Sequence, residues 1–295
     1  MNAARNRKDI FRVWSGLSPL LIPFGLLFCG GILLTVCQSM GLYTPLPHEG
    51  DLASAYRSLF ADRFFLVSFL FSTWVAGASA LIAVSAGTLL AYWVWKLPPR
   101  LQNLALMYKI PLILPHISVA FVVLVFWSQS GLLASLAHSL GFIQLPQQFP
   151  NILYSGLGLG MILAYAFKGT PFAMLLVMTM LIRFDRRQIQ TAVMLGATRT
   201  RTFMTIVLPR VVPAVHTAFI ILFLYSFGAF DIPALLSESR PGMLSIHVFN
   251  LYFRGSLNQR PEAMAILVLM FVFAVLFIIM YSRVVSRLES GERKV

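Results

Sequence analysis

Few residues of this 295-residue chain stand at spacings that could do chemistry. His48, His116, His138, His216 and His247 are scattered, with no H-E-x-x-H pair and no Cys/His grouping at metal-ligand spacing. There is no G-x-x-x-x-G-K-[ST] loop to cradle phosphates, and no serine lies in a G-x-S-x-G turn. The histidines read as polar side chains satisfied by helix packing or by lipid headgroups. No catalysis, metal or cofactor is therefore expected of this chain. Two features remain. Lys168 and Asp231 are ionisable residues within long apolar runs, and residues 183–210 form a polar, basic stretch between two such runs.

The elements that must position these features follow from composition. The chain is 58% hydrophobic and 11% charged, with a mean hydropathy of +0.80, which a water-facing surface does not tolerate. A hydrocarbon core of ~30 Å takes about 20 helical residues to cross. Uncharged or nearly uncharged runs of that length recur six times, near 16–38, 65–95, 110–128, 152–182, 211–236 and 263–282. The first is too apolar and too long for a cleaved leader and is expected to remain as a helix. This is an all-α membrane protein: a tail over 1–15, a transmembrane domain over 16–283 and a second tail over 284–295.

Placing the N-terminus in the cytoplasm puts 17 Lys and Arg on that side, including Lys96, Arg100, Lys109, Arg186, Arg199 and Arg201. Only five lie outside: Arg57, Arg63, Arg240, Arg254 and Arg260. Such asymmetry orients both termini to the cytoplasm. Orientation and anionic lipid therefore account for the net charge of +13 without nucleic acid. Cys29 and Cys37, eight residues apart on one helix and so about 12 Å apart along its axis, are too distant for a disulfide.

The basic stretch has helical periodicity. Ile189, Ala192, Val193 and Gly196 follow i, i+3, i+4, i+7 spacing, and Gly196-Ala197 offers a turn or a close backbone approach. Thr198 is placed to cap a second short helix showing Phe203, Ile206 and Val207 on one side, before Pro209 opens the fifth span. Two short helices at a small-residue joint would offer an apolar knob to a groove on a cytosolic partner. An amphipathic hairpin lying on anionic lipid is the other reading, and would suit an ATP-independent carrier or channel.

The spelling of this stretch resembles a known family. Gly196, nine residues, Ile206, one residue, then Leu208-Pro209 is similar to the G-x9-I-x-L-P core of the EAA loop of ATP-binding cassette importer permeases. Gln190-Thr191-Ala192 stands where that family shows Glu-Ala-Ala, and Leu195-Gly196-Ala197 resembles its L-G-A. YAFKGTPF (165–172), YSFGAFDIPALL (225–236) and RPEAMAI (260–266) resemble the spermidine/putrescine-type branch, which also holds relatives for other small solutes.

The resemblance implies the type I importer permease fold in a bacterial inner membrane. It also implies two ATPase copies that bind the ATP, a second permease chain and an outer binding protein delivering a small solute. The coupling contacts would be Gln190, Ala192, Leu195, Gly196, Ala197, Phe203, Ile206, Leu208 and Pro209, with Phe203 as the buried anchor. Because Gln190 replaces the usual Glu, a carboxylate is missing from the coupling contact, and a different second permease that keeps it is expected.

Helices broken at membrane depth line protein or water-filled paths. On that ground Lys168, Thr170, Pro171, Tyr225, Phe227, Phe230 and Asp231 are the expected pathway residues, with a kink at Pro171. At ~1.5 Å per residue from the outer helix ends, Lys168 lies roughly 24 Å deep and Asp231 about 8 Å, too far apart to pair. Lys168 either snorkels or is satisfied by carbonyls, or it contacts solute. Asp231 either attracts a cationic solute or caps a helix. The uncharged stretch 128–151 is expected to hold a short helix, and 41–64 and 237–261 read as loops.

Overall fold

A computed structural model describes residues 2–43, 51–98, 101, 104–185, 187–238 and 240–292. Arg100, Arg186, Arg293 and Lys294, counted above among the inner-face charges, lie outside them. Among the described residues the secondary structure is helical throughout, and six helices are long and apolar enough to cross a membrane.

The chain divides into two compact units, 1–62 with 248–273 and 63–247 with 274–295. The first contains α1 (Asn2–Ser39), α2 (Ser54–Ala61) and the opening turns of the last helix (Arg260–Glu292). There the Ser39 and Tyr56 hydroxyls share a hydrogen bond of 2.7 Å, and Ser58 donates to Glu262 Oε1 at 2.8 Å. The 41–64 segment, read as a loop, contains α2. Both cysteine thiols are free.

The second unit is built on α3 (Arg63–Lys96), packed along Leu159–Ile182 and against Leu208–Gly228. Ala76, Ala80, Ala83 and Gly87 repeat every three or four residues down α3 and are buried. Small residues at this spacing let helix backbones approach closely, which drives association where lipid removes the hydrophobic incentive. Gly87 shows how close: a Cβ there would stand 2.6 Å from the Thr170 carbonyl and 2.8 Å from Ala173 Cβ. We expect Gly87→Leu to force the helices apart, costing about 1–3 kcal/mol or more as overpacking does. A thermal melt of the detergent-solubilised chain unchanged by that substitution would contradict this packing.

Between these helices run α4 (Ile110–Ile113), α5 (His116–Trp127) and α6 (Leu132–Ser139). The third span, read as one helix over 110–128, is thus broken. Pro115 pushes Leu114 into an extended conformation, with ψ of 135°, and supplies no N–H of its own. The fourth span, α7 (Leu159–Ile182), starts later than the expected 152 because Gly158 stands at φ of +69° as its N-cap. It then runs through Pro171 as one helix to Ile182, the expected end of the span. Beyond α7 lie α8 (Arg187–Met194), α9 (Arg199–Thr202), α10 (Leu208–Gly228) and α11 (Asp231–Leu236), followed by α12 (Leu244–Phe249) and α13 (Arg260–Glu292). The fifth span therefore breaks at Ala229-Phe230, and the 237–261 segment also carries helix.

Candidate functional site: the basic segment and the Lys168 cavity

The basic segment holds two short helices joined at Gly196. Ala197 N–H donates to the Ala192 carbonyl at 2.9 Å and Gly196 N–H to that of Val193 at 3.0 Å, the paired bonds of a Schellman ending. Gly196 takes φ of +82°, the left-handed region such an ending needs. Nothing lies within 4 Å of a Cβ built there, so the glycine serves the turn and makes no close approach within the chain. Thr198 Oγ1 accepts from the Arg201 N–H at 3.3 Å, capping α9.

From α9 the chain stays helical into the fifth span through a π-helical stretch, Phe203–Val207. Pro209 explains it: proline lacks a donor and crowds the carbonyl four residues before it, and one widened turn absorbs both defects. Pro209 therefore lies inside a continuous helical run and is not a joint between two helices.

This register decides which side chains face outward. Phe203, expected as the outward anchor, packs within its own chain, with its ring centroid 4.6 Å from that of Tyr92. Val207 is wholly buried in the same cluster, which includes Leu181 and Val211, and Leu208 and Ile189 pack against it. Ile206, Ala192 and Ala197 are half-buried, and Gln190, Gly196 and Pro209 are exposed. Tyr108, in the 3-10 turn Leu104–Lys109, joins the edge of the cluster, where burial raises its phenol above the ordinary value. The apolar residues left most in the open are Met194, 88% exposed, and Leu195, 83% exposed, with Val193 and Met204 about half exposed beside them. Met194 escaped the sequence reading; its signal is its place as the last residue of α8, one turn from Gln190.

The second site is a cavity of about 310 Å³ inside the second unit. Its lining includes His116, Tyr165, Lys168, Tyr225 and Ser226, from α5, α7 and α10. Lys168 Nζ donates to the Pro111 carbonyl at 3.2 Å and to the Leu114 carbonyl. These are the carbonyls that the break at Pro115 leaves without donors: Pro111 would have bonded the N–H that Pro115 lacks, and Leu114 is extended. A lysine on α7 thus supplies hydrogen bonds that the backbone of the third span cannot make, as a broken helix within lipid requires. The His116 and Tyr225 rings lie 4.8 Å apart beside it. The Tyr165 hydroxyl is buried without a hydrogen-bond partner among the described residues.

Of the expected pathway residues, the cavity brings together Lys168 and Tyr225. Thr170 turns back to the Ala166 carbonyl at 2.7 Å, and Pro171 is buried in the α7 packing face. Phe227 is 2% exposed, packed edge-on to Phe69 and stacked on Phe223. Phe230 and Asp231 are exposed at the break after α10. Asp231 opens α11, where an acid suits the helix dipole, and it lies within electrostatic range of His116, Tyr165 and Tyr225. The later start of α7 brings Lys168 nearer the end of its helix than the sequence count gave. It forms no ion pair with Asp231 among the described residues.

Comparison with known proteins places both sites in context. The chain is 25% identical over 231 residues to the inner membrane ABC transporter permease protein YnjC of Escherichia coli (strain K12). That match covers 77% of this chain but only 42% of YnjC, so the chain spans less than half of that relative's length. It is 24% identical over 212 residues to the molybdenum transport system permease protein ModB of Azotobacter vinelandii, covering 71% of this chain and 90% of ModB. Its fold is similar to a chain of a bacterial ABC transporter that imports the acidic polysaccharide alginate. The TM-score is 0.76 at 20% identity, with 96% of this chain and 99% of that chain covered. Residues 83–290, which hold the basic segment and the cavity, match the family described as binding-protein-dependent transport system inner membrane component, and the chain belongs to that family.

Proposed function

We propose that this permease forms half of the translocation pathway of an ATP-binding cassette importer, and that residues 183–210 receive the movement of a separate ATPase. The observation that carries this reading is the exposed Met194-Leu195 pair, held out at the end of α8 by the left-handed turn at Gly196. An apolar tip on a short amphipathic helix suits a groove on a protein partner. Beyond the turn at Gly196, α9 continues through the π-helical stretch into α10 and so links that tip to the bundle. Closure of two ATPase copies would then move the spans as rigid bodies between access states.

A second permease chain, different from this one because Gln190 lacks the family's carboxylate, would complete the pathway. An outer binding protein would deliver the solute. The orientation, with both termini in the cytoplasm of a bacterial inner membrane, follows the arginine distribution. The solute lies among small organic cations, as the spermidine/putrescine-type motifs suggest, or thiamine-like, phosphonate, iron or oxyanion species. Molybdenum transport by the ModB relative supports the last of these. Lys168 and Tyr225 are the residues best placed to meet it.

The test is the composition of the complex purified from native membranes, by mass spectrometry, beside Gly196→Asp. Because the space around Gly196 is open and Asp tolerates a left-handed backbone better than most residues, the variant should still fold and insert. We expect an ATP-binding subunit to accompany the unmodified chain and to be lost from the variant. Recovery of the chain alone in both cases would leave the segment as a lipid-surface hairpin.

A further inference from the structure

An open apolar groove of about 740 Å³ lies between the end of α3 and α9 with the π-helical stretch after it. Its walls include Leu89, Trp93, Phe203 and Met204, and two cations, Lys96 and Arg199, line it as well. Lys96 is the last residue of α3 and Arg199 the first of α9. Lys96 stacks over the Tyr92 ring at 4.0 Å, and neither cation has an acidic partner among the described residues. The arginine distribution assigns this end of α3 to the cytoplasm, so both charges lie at headgroup level. From Lys96 the groove descends past Trp93 to Leu89, about 10 Å along the helix, and so reaches well into a leaflet roughly 15 Å deep. Trp93 is 70% exposed at the depth where membrane proteins place interfacial tryptophans.

A groove with apolar walls and two uncompensated cations at its mouth complements one molecule: an anionic phospholipid. The geometry points to a bound phosphatidylglycerol-type lipid of the cytoplasmic leaflet, its phosphate between Lys96 and Arg199 and its acyl chains along Leu89, Trp93 and Met204. Cations at this level attract anionic headgroups, and an apolar trough below them accommodates the tails. A second groove of about 460 Å³ shares Leu89 and Phe203 with the first and extends the apolar wall to Leu81. The occupant would bridge α3 to the basic segment, because Phe203 and Met204 belong to the helical run leading from Gly196 into α10. The lipid would therefore brace the element through which coupling is transmitted.

The experiment uses the assembled complex in nanodiscs, with brominated phosphatidylglycerol or brominated phosphatidylcholine titrated against tryptophan fluorescence. A Trp93→Phe complex isolates the signal of that residue. We expect Trp93 to be quenched at on the order of tenfold lower mole fraction of the anionic lipid, as two basic residues facing one headgroup imply. Lys96→Gln with Arg199→Gln should erase the difference without altering quenching by phosphatidylcholine. Equal quenching by both lipids in the unmodified complex would overturn the proposal, as would a preference surviving in the double variant. No quenching of Trp93 by either lipid would show that a protein partner fills the groove. None of these readouts depends on the solute or on ATP hydrolysis, so their failure is separable from failure of the coupling role.

Discussion

Lys168→Met should lower the stability of the chain more than any other single substitution in the cavity. The side chain would keep most of its apolar stem but lose the ammonium that donates to the carbonyls of Pro111 and Leu114. Each acceptor left unsatisfied away from water costs ~1–3 kcal/mol, and because both bonds are only partly buried the lower part of a combined range of about 2–6 kcal/mol is at stake. Lys168→Arg is the informative companion, since it restores donors in a larger, planar head. It should recover part of the stability and less of the uptake, because the guanidinium must fit a cavity of about 310 Å³. The measurement is thermal unfolding of the solubilised chain followed by uptake in reconstituted vesicles. A methionine variant that melts with the unmodified chain would show that Lys168 is not the donor for the broken third span, and would leave it a role in solute contact alone.

The reason this role was only half legible lies in how it arises. Lysine satisfied by carbonyls was one of two readings open from the sequence, while the third span read as one helix straight through Pro115. Nothing in the spacing said that a residue 53 positions later would reach those two carbonyls. Tertiary juxtaposition decides it, through the close approach of helices around Gly87 and around Gly169, where a Cβ would stand 2.9 Å from Ala83 Cβ. The six spans themselves were readable because lipid imposes length and polarity on each. Their ends were less so. Residues 152–158 are apolar enough to read as helix, yet Gly158 is left-handed and delays the start to Leu159. Pro171 lies inside α7, which continues to Ile182, where the span was expected to end.

At the basic segment the turn and cap were legible residue by residue, because Gly196 and Thr198 act through local backbone bonds. The outward face was not. Apolar residues occur on both sides of so short a stretch, and the π-helical turn before Pro209 rotates Phe203 and Val207 into the bundle. An aromatic side chain looked like the natural anchor on grounds of size, and the helical register overrules size. Phe227 fails as a pathway residue for the same reason: its position on α10 sets it against Phe69 and Phe223.

That reassignment gives the second large effect. Phe203→Ala is expected to act on folding, since it removes a ring packed on Tyr92 and opens the cluster around Leu181 and Val211. Loss of a core aromatic costs ~3–5 kcal/mol where burial is complete, and Phe203 is only half-buried, so the lower part of that range applies. Met194→Ala with Leu195→Ala should do the reverse. Both side chains are more than four-fifths exposed in the free chain, so their loss leaves its melting temperature unchanged. If they insert into a groove on the ATPase, their truncation weakens association by on the order of 1–3 kcal/mol, as for central interface residues. Measuring both quantities on both variants, melting of the isolated chain and retention of the ATPase subunit at a series of dilutions, separates the roles. A Phe203 variant that melts normally but loses the ATPase would return the anchor to the aromatic and show that α9 turns outward on docking. Full retention of the ATPase by the Met194 and Leu195 double variant would remove the apolar tip from the interface and leave the arginines of the segment as its remaining contacts.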